Sequence, residues 1–177
     1  LSATRVMHFV DDACLLFNVS NPASVSLVKT VANANGVVNG AIQRGRYVFG
    51  ANKGGFIDLF DVYDIDNFTL VGSFDTSAIM IGGHDIDFTF DNKYIIISAK
   101  TTGAQFGIIK VFDAAGDLIP LASWTFESTV TSSSAPNLIG ANRIRTVRNS
   151  SGVELAVLFQ LEGGGGGDNV GTYDITN

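Results

Sequence analysis

The sequence predicts an all-β protein in which similar small antiparallel sheets follow one another along the chain. The first observation is a phrase that recurs four times, an aromatic residue followed by Asn or Asp inside an apolar run: Phe17-Asn18, Tyr63-Asp64, Phe112-Asp113 and Tyr173-Asp174. The second is that these aromatic positions are 46, 49 and 61 residues apart, with short strand-like segments and no helical period between them. A repeat of that length indicates a β-propeller built from four-stranded blades.

Composition narrows the class further. The chain has 177 residues, of which 46% are hydrophobic and 16% charged, so it is long and apolar enough to bury a core. Its formal net charge of −6 and its few, scattered Lys and Arg residues argue against nucleic acid and anionic membranes as partners. No apolar run reaches the roughly 18 residues of a membrane span, so no span is predicted. Since the sequence begins at Leu1, we expect a mature or excised piece.

The strands follow in order. We call the strand that carries the recurring phrase the marker strand and its aromatic residue the marker. In the first copy we expect three strands, a second strand at 5–10, the marker strand at 13–19 and a fourth strand at 26–31. The second copy supplies four strands, at 37–42, 47–51, 56–65 and 69–74. The third also supplies four, at 84–90, 94–99, 107–113 and 118–126. The last supplies three, at 143–147, 154–160 and a marker strand that ends at Asn177.

These segments define one domain, residues 1–177, with approximate blades 1–34, 35–81, 82–134 and 135–177. The first blade lacks its first strand and the last blade lacks its fourth. Unpaired ladder groups on both flanks need partners. We therefore expect an open segment of about four blades whose edges pair with further blades of the same polypeptide or with another chain.

The recurring phrase has a physical reason. The third strand of a blade lies between neighbouring blades, so an aromatic residue there fills the gap between sheets that diverge outward. The Asn or Asp that follows bonds backbone groups where the strand turns toward the fourth. We interpret the four phrases as structural rather than as a ligand site.

Two stretches resemble known propeller repeats. The run from Cys14 through Asn18-Val19-Ser20-Asn21-Pro22 resembles the LVIVD-type repeat of secreted and surface β-propellers, and Tyr173-Asp174-Ile175-Thr176-Asn177 ends inside the same phrase. The segment from His84-Asp85-Ile86 to Lys93-Tyr94 resembles the start of YVTN and lactonase-like blades. The third copy departs from the pattern because Phe112-Asp113-Ala114 lacks the S-N-P turn. The resemblance implies an extracellular or cell-surface propeller.

Candidate ligand-binding residues cluster on predicted first strands. His84 opens one of these strands beside Asp85 and Asp87, and first strands line the central channel of a propeller. Aligning the following turns places Arg143 and Arg145 at the blade positions of Asp85 and Asp87. The two carboxylates and two guanidiniums then face each other near the channel. This set is either a polar ligand site with His84 at its rim or, as we favour, an ion-pair cluster that fixes blade register.

The sequence offers less support for a metal site, a phosphate loop or a reactive cysteine. The carboxylates at 58, 61, 64 and 66 crowd one strand but lack the spacing of a calcium loop, so Asp64 and Asp66 are secondary metal candidates and solvated turn residues are the default. The five glycines at 163–167 predict a surface loop without the G-K-[ST] ending of a phosphate loop. No cofactor is predicted. Cys14, in an apolar run, is expected to be a buried thiol rather than a reactive or cross-chain one.

Three N-x-S/T sequons begin at Asn18, Asn67 and Asn149. Asn67 and Asn149 fall in predicted surface turns, where a glycan could be attached, whereas Asn18 occupies the repeated Asn/Asp position and is expected to serve the backbone. Asn67 is the favoured glycan carrier.

The function that the sequence favours is a non-catalytic extracellular or cell-surface binding or structural module. The alternative is a fragment of a lactonase-like or other hydrolytic propeller with a channel site near His84. Catalysis would need polar groups converging from several first strands. The second blade offers only Val38, Asn39 and Gly40 at comparable places, which favours binding.

Overall fold

The chain forms four separate antiparallel sheets that follow one another as blades. The structure is a computed structural model that describes residues 4–33, 35–99, 104–131, 143–160 and 169–176. These described residues contain fourteen strands: β1 Arg5–Val10, β2 Ala13–Asn18, β3 Ser26–Ala32, β4 Val38–Arg44, β5 Tyr47–Asn52, β6 Phe56–Asp61, β7 Thr69–Asp75, β8 Gly83–Phe88, β9 Tyr94–Ala99, β10 Ala104–Lys110, β11 Thr125–Thr131, β12 Arg143–Arg148, β13 Glu154–Gln160 and β14 Asn169–Asp174.

Each blade is a meander in which sequential strands pair. The strand orders are β1-β2-β3, β4-β5-β6-β7, β8-β9-β10-β11 and β12-β13-β14. We call these sheets blades 1 to 4. The predicted fold class is confirmed: the protein is all-β, a β-propeller segment whose first blade lacks its innermost strand and whose last blade lacks its outermost strand in the described residues. The first strands β4, β8 and β12 pack side by side.

The hydrophobic core lies between the blades. One cluster joins blade 2 to blade 3 and is rich in aromatic rings, with Trp124 stacked on Phe49 at a centroid distance of 5.8 Å. A second cluster, around Phe60, joins blade 1 to blade 2, and a third, around Phe106, joins blade 3 to blade 4. Cys14 is fully buried in the second cluster, and this burial raises the pKa of its thiol to about 12. The thiol is therefore protonated at neutral pH, as expected of a core residue.

Several predicted strands end elsewhere than expected. β10, predicted at 107–113, spans Ala104–Lys110, and β14 ends at Asp174 rather than at Asn177. β6 ends at Asp61 rather than at residue 65, because Ile65–Asn67 forms a one-turn 3₁₀ helix capped by the Asp64 side chain. The fourth strand of blade 3 was predicted at 118–126 but lies at Thr125–Thr131. Pro120 precedes a second 3₁₀ turn, Leu121–Ser123, and proline cannot donate a ladder hydrogen bond.

The predicted position of the aromatic marker is correct in blades 1 and 4, whereas in blades 2 and 3 it lies three residues too far along the chain. In every blade, one residue just past the third strand donates its N–H to a carbonyl at the start of the second strand. We call this residue the anchor. The anchors are Val19, Val62, Val111 and Ile175, with N···O distances of 2.9, 2.7, 3.0 and 2.9 Å.

Counting back two residues from each anchor gives the equivalent marker positions, which are Phe17, Phe60, Ile109 and Tyr173. The prediction that Tyr63 fills the gap between blades is therefore wrong, since Tyr63 is 80% exposed and Phe60 is fully buried. Phe60 packs against Phe9 of blade 1 at 5.6 Å. In the last blade the prediction is confirmed, because Tyr173 packs edge-on against Phe106 of blade 3 at 5.1 Å.

In blades 1, 2 and 4 the residue between marker and anchor is Asn or Asp and turns the chain as such residues are expected to, whereas in blade 3 it is Lys110. Asn18, Asp61 and Asp174 each accept a hydrogen bond from the N–H two residues later, at 3.0, 2.9 and 2.9 Å. These are local Asx turns that end the third strand. Asn18 therefore serves the backbone.

Candidate functional site

The innermost strands β8 and β12 lie side by side, and carboxylates of β8 bond to the backbone of β12. Asp85 is 4% exposed, and its Oδ2 accepts hydrogen bonds from the Ile144 N–H at 3.2 Å and from Arg145 Nη1 at 2.6 Å. Asp87 Oδ2 accepts from the Thr146 N–H at 2.8 Å and from Thr146 Oγ1 at 3.3 Å. We call these contacts the β8–β12 clamp.

The predicted contact between Asp residues of β8 and Arg residues of β12 is present, but the residues pair differently from the prediction. Strand register does place Asp85 and Asp87 level with Arg143 and Arg145 within their blades. Across the blade gap, however, Asp85 pairs with Arg145, while Asp87 faces Thr146 rather than a guanidinium. Arg143 is exposed and forms no ion pair with either carboxylate. No pattern in the sequence selects Thr146, because its contact with Asp87 depends on how the two sheets are offset.

On its other side, Asp85 abuts blade 2. A Cβ on Gly40 would lie 2.8 Å from both Asp85 Cα and the His84 carbonyl oxygen. The Asn39 side chain donates to the Gly83 carbonyl at 2.9 Å. The first strands thus approach so closely that only glycine fits at position 40. His84 is partly buried at this junction.

A second polar cluster, missed by sequence reasoning, surrounds Asp58 in blade 2. Asp58 is fully buried, so the expectation that it is a solvated turn residue is wrong. Its Oδ2 accepts from Asn33 and Asn52 at 2.7 and 3.0 Å, and its Oδ1 accepts from Asn35 and Ser73 at 3.1 and 2.6 Å. All four donors are neutral. Asn33 and Asn35 belong to the segment between blades 1 and 2, so the cluster fastens that connection to blade 2.

The secondary metal candidates do not converge. Asp64 accepts from the Asp66 N–H at 3.2 Å and from the Asn67 side chain at 2.7 Å, which caps the 3₁₀ turn. Asp66 instead pairs with Arg5 of blade 1 at 2.6 Å, and the hydrogen bond from that guanidinium lowers the pKa of the carboxyl. Within the described residues, no group of three His, Cys, Asp or Glu side chains could hold a metal ion.

The sequons and the glycine run have different outcomes. Asn67 and Asn149 are both exposed. Asn67 donates its side-chain amide to Asp64, whereas Asn149 uses its Oδ1 to accept from Ser151 and Val153 at 2.9 and 3.0 Å. The predicted loop at 163–167 lies outside the described residues. Among the residues that are described, none belongs to a helix of the length and apolar character that a bilayer requires.

Comparison with known proteins supports the fold alone. The chain is similar to the crystal structure of a functionally unknown protein from Desulfotomaculum acetoxidans DSM 771, with a TM-score of 0.55 and 14% sequence identity. The similarity covers 96% of this chain and 62% of that chain, so this chain spans less than two thirds of the other protein's length. No protein-family model and no curated protein sequence matches.

Proposed function

We propose that this chain is a non-catalytic β-propeller module that binds and supports other polypeptide at the cell surface or outside the cell. The observation that carries the proposal is the β8–β12 clamp. The carboxylates of an innermost strand are the groups that a channel enzyme would use, and here they accept hydrogen bonds from the backbone of the next blade. Acceptors satisfied in this way fix the register of two blades. They are poorly placed to act as a general acid or base.

Two strand edges that no described strand covers support the binding part of the proposal. β1 pairs with β2 along one edge, and β14 pairs with β13 along one edge. Val170 on β14 is 64% exposed. An edge strand with exposed apolar side chains is a template for a further strand, either from the same polypeptide or from another chain. The LVIVD-type and YVTN-like resemblance favours the same kind of surface propeller.

The clamp can be tested with Asp87→Asn. We expect the free energy of unfolding to fall by about 1–3 kcal/mol, because one amide N–H must then face either the Thr146 N–H or the Phe88 N–H, both of which now donate to the carboxylate. Urea denaturation measures the loss. Asp117→Asn, at an exposed turn position, is the matched control and should change stability by less than about 0.5 kcal/mol.

The same variants separate the module from the hydrolytic alternative. The chain and Asp87→Asn are assayed against a panel of lactones by titrating released acid. Lactone hydrolysis that is lost in Asp87→Asn while unfolding is unchanged would overturn the non-catalytic proposal.

The extracellular setting predicts a glycan. We expect material from the native source to lose mass on glycosidase treatment, since Asn67 and Asn149 are both exposed acceptors. Peptide mapping then decides between the two sites, with Asn67 as the carrier that the sequence favours. An unchanged intact mass would count against both the glycan and the secretory assignment.

A further inference from the structure

A groove of about 430 Å³ separates blade 3 from blade 4 on the side where third strands pass to fourth strands. Its blade 3 wall includes Tyr94, Ile108 and Ser128, and its blade 4 wall includes Ile175 and Thr176. Ile108 lies three residues before the anchor Val111, and Ser128 is its neighbour on the fourth strand. Blades 1 and 2 have residues at the same two positions. The interfaces that follow these blades therefore show what occupies the equivalent space elsewhere in the chain.

Between blades 1 and 2 the equivalent position is filled. Leu16 lies three residues before the anchor Val19 and pairs with Lys29 on the fourth strand. Phe68 of blade 2, only 1% exposed, packs into the same cluster as Leu16, and Lys29 Nζ lies 5.6 Å from the Phe68 ring centroid. Phe68 directly follows the 3₁₀ turn Ile65–Asn67, which contacts β3.

Between blades 2 and 3 the position is filled in the same way. Leu59 lies three residues before the anchor Val62 and pairs with Gly72 on the fourth strand. Leu121 of blade 3 sits so close that a Cβ on Gly72 would lie 2.9 Å from its Cδ2 atom. Leu121 begins the 3₁₀ turn Leu121–Ser123, which contacts β7. In both interfaces, therefore, a 3₁₀ turn from the next blade places an apolar side chain against the previous blade.

One of the two occupied interfaces also has an ion pair at its turn, whereas the turn Leu121–Ser123 contains no acidic residue. Asp66, within the first 3₁₀ turn, pairs with Arg5 at the start of the second strand of blade 1. The groove between blades 3 and 4 offers Lys93, next to the start of the second strand of blade 3, and Arg148 on its other wall. Asp91, Glu127 and Glu154 line the same groove, and Asp91 lies 3.9 Å from Lys93. The charge of the groove is therefore mixed, and the apolar side chain is the feature that the occupied interfaces share.

We propose that the groove between blades 3 and 4 docks a polypeptide segment that completes blade 4. The segment carries a 3₁₀ turn with Leu at its start or Phe directly after it, followed by a strand that pairs antiparallel with the edge of β14 that no described strand covers. This inference rests on the proposed polypeptide-binding function and names its site and the chemistry of its occupant. Strand addition supplies main-chain hydrogen bonds, and the groove supplies selectivity for the apolar side chain.

The chain itself provides the probe. A fluorescent peptide with the sequence of residues 64–75 contains the turn, Phe68 and the fourth strand of blade 2. We expect saturable binding to the 177-residue chain by anisotropy, with slowed hydrogen exchange at the amides of β14. The same peptide with Phe68→Ala should bind about 10- to 100-fold more weakly, the fold-change expected for leaving one phenylalanine unburied.

Chain variants localise the site. Ser128 is exposed in the groove, so Ser128→Trp should fold and block the peptide, whereas Ser24→Trp, at an exposed turn of blade 1, should bind it normally. A chain with residues 64–75 appended after Asn177 should unfold at a higher temperature than the same fusion carrying alanine at the Phe68 position.

The proposal is overturned if the peptide binds Ser128→Trp as well as the unaltered chain, or if both the free peptide and the fusion are insensitive to the phenylalanine. Either result would leave the β8–β12 clamp and its Asp87→Asn test untouched, so failure of the docking site can be told apart from failure of the proposed function.

Discussion

Replacing Asp58 with alanine is expected to lower the free energy of unfolding by about 3–5 kcal/mol, a loss at the high end for a single substitution. The carboxylate is fully buried and accepts four hydrogen bonds, two on each oxygen. Its removal leaves buried amide and hydroxyl donors with fewer acceptors, and each unsatisfied buried group costs about 1–3 kcal/mol. Some relaxation among the three asparagines keeps the total below the sum of those costs.

Two further substitutions show whether the carboxylate is the centre of this cluster. Asp58→Asn keeps the volume but turns one acceptor into a donor that faces other donors, so it should be nearly as destabilising as alanine. Ser73→Ala removes one of four donors and should cost only about 1 kcal/mol. Guanidinium chloride denaturation of the three variants gives the ranking. An Asp58→Ala chain as stable as Ser73→Ala would contradict the central role of the carboxylate.

The Asp58 cluster illustrates what the sequence could not predict. Local alternation places Asp58 on one face of β6, but the burial of that face depends on Asn33 and Asn35, which arrive from the connection to the previous blade. One weak signal was present: the amide-rich stretch before β4 and Asn52 at the end of an apolar strand supply donors without charges. Buried polar groups need partners, so such donors point to a buried acceptor nearby.

The strands themselves were largely predictable, because each short apolar or alternating segment ends in turn residues whose local chemistry is strong. β9 and β13 occupy the predicted residues, and β1 does as well. The β8–β12 clamp was predictable only in part. Strand alignment brought Asp85 and Asp87 to the correct blade positions, whereas the choice of Arg145 and Thr146 as partners follows from the offset between two packed sheets.

The largest contrast between sequence expectation and structure concerns two aromatic residues three positions apart. Phe60→Ala is expected to cost about 3–5 kcal/mol, since the ring is fully buried between blades 1 and 2 and contacts Phe9 and Phe68 at centroid distances of 5.6 and 6.3 Å. Tyr63→Ala should change stability by less than about 0.5 kcal/mol, because its ring is 80% exposed and its contact is with the exposed Arg46 guanidinium.

The sequence alone does not show which of these two residues is buried. Phe60-Asp61-Val62 and Tyr63-Asp64-Ile65 follow each other directly and have the same order of aromatic, acidic and aliphatic residues. The anchor hydrogen bond of Val62 selects the first phrase as the true end of β6, and the second becomes the cap and start of the 3₁₀ turn. Thermal and urea unfolding of both alanine variants, with Phe60→Leu to retain apolar volume, measures the difference. Equal losses at positions 60 and 63 would mean that the blade ends at the second phrase. A loss confined to Phe60 and largely recovered by leucine would instead establish a spacing of 43 residues between the first two markers, set by the packing of one ring between blades.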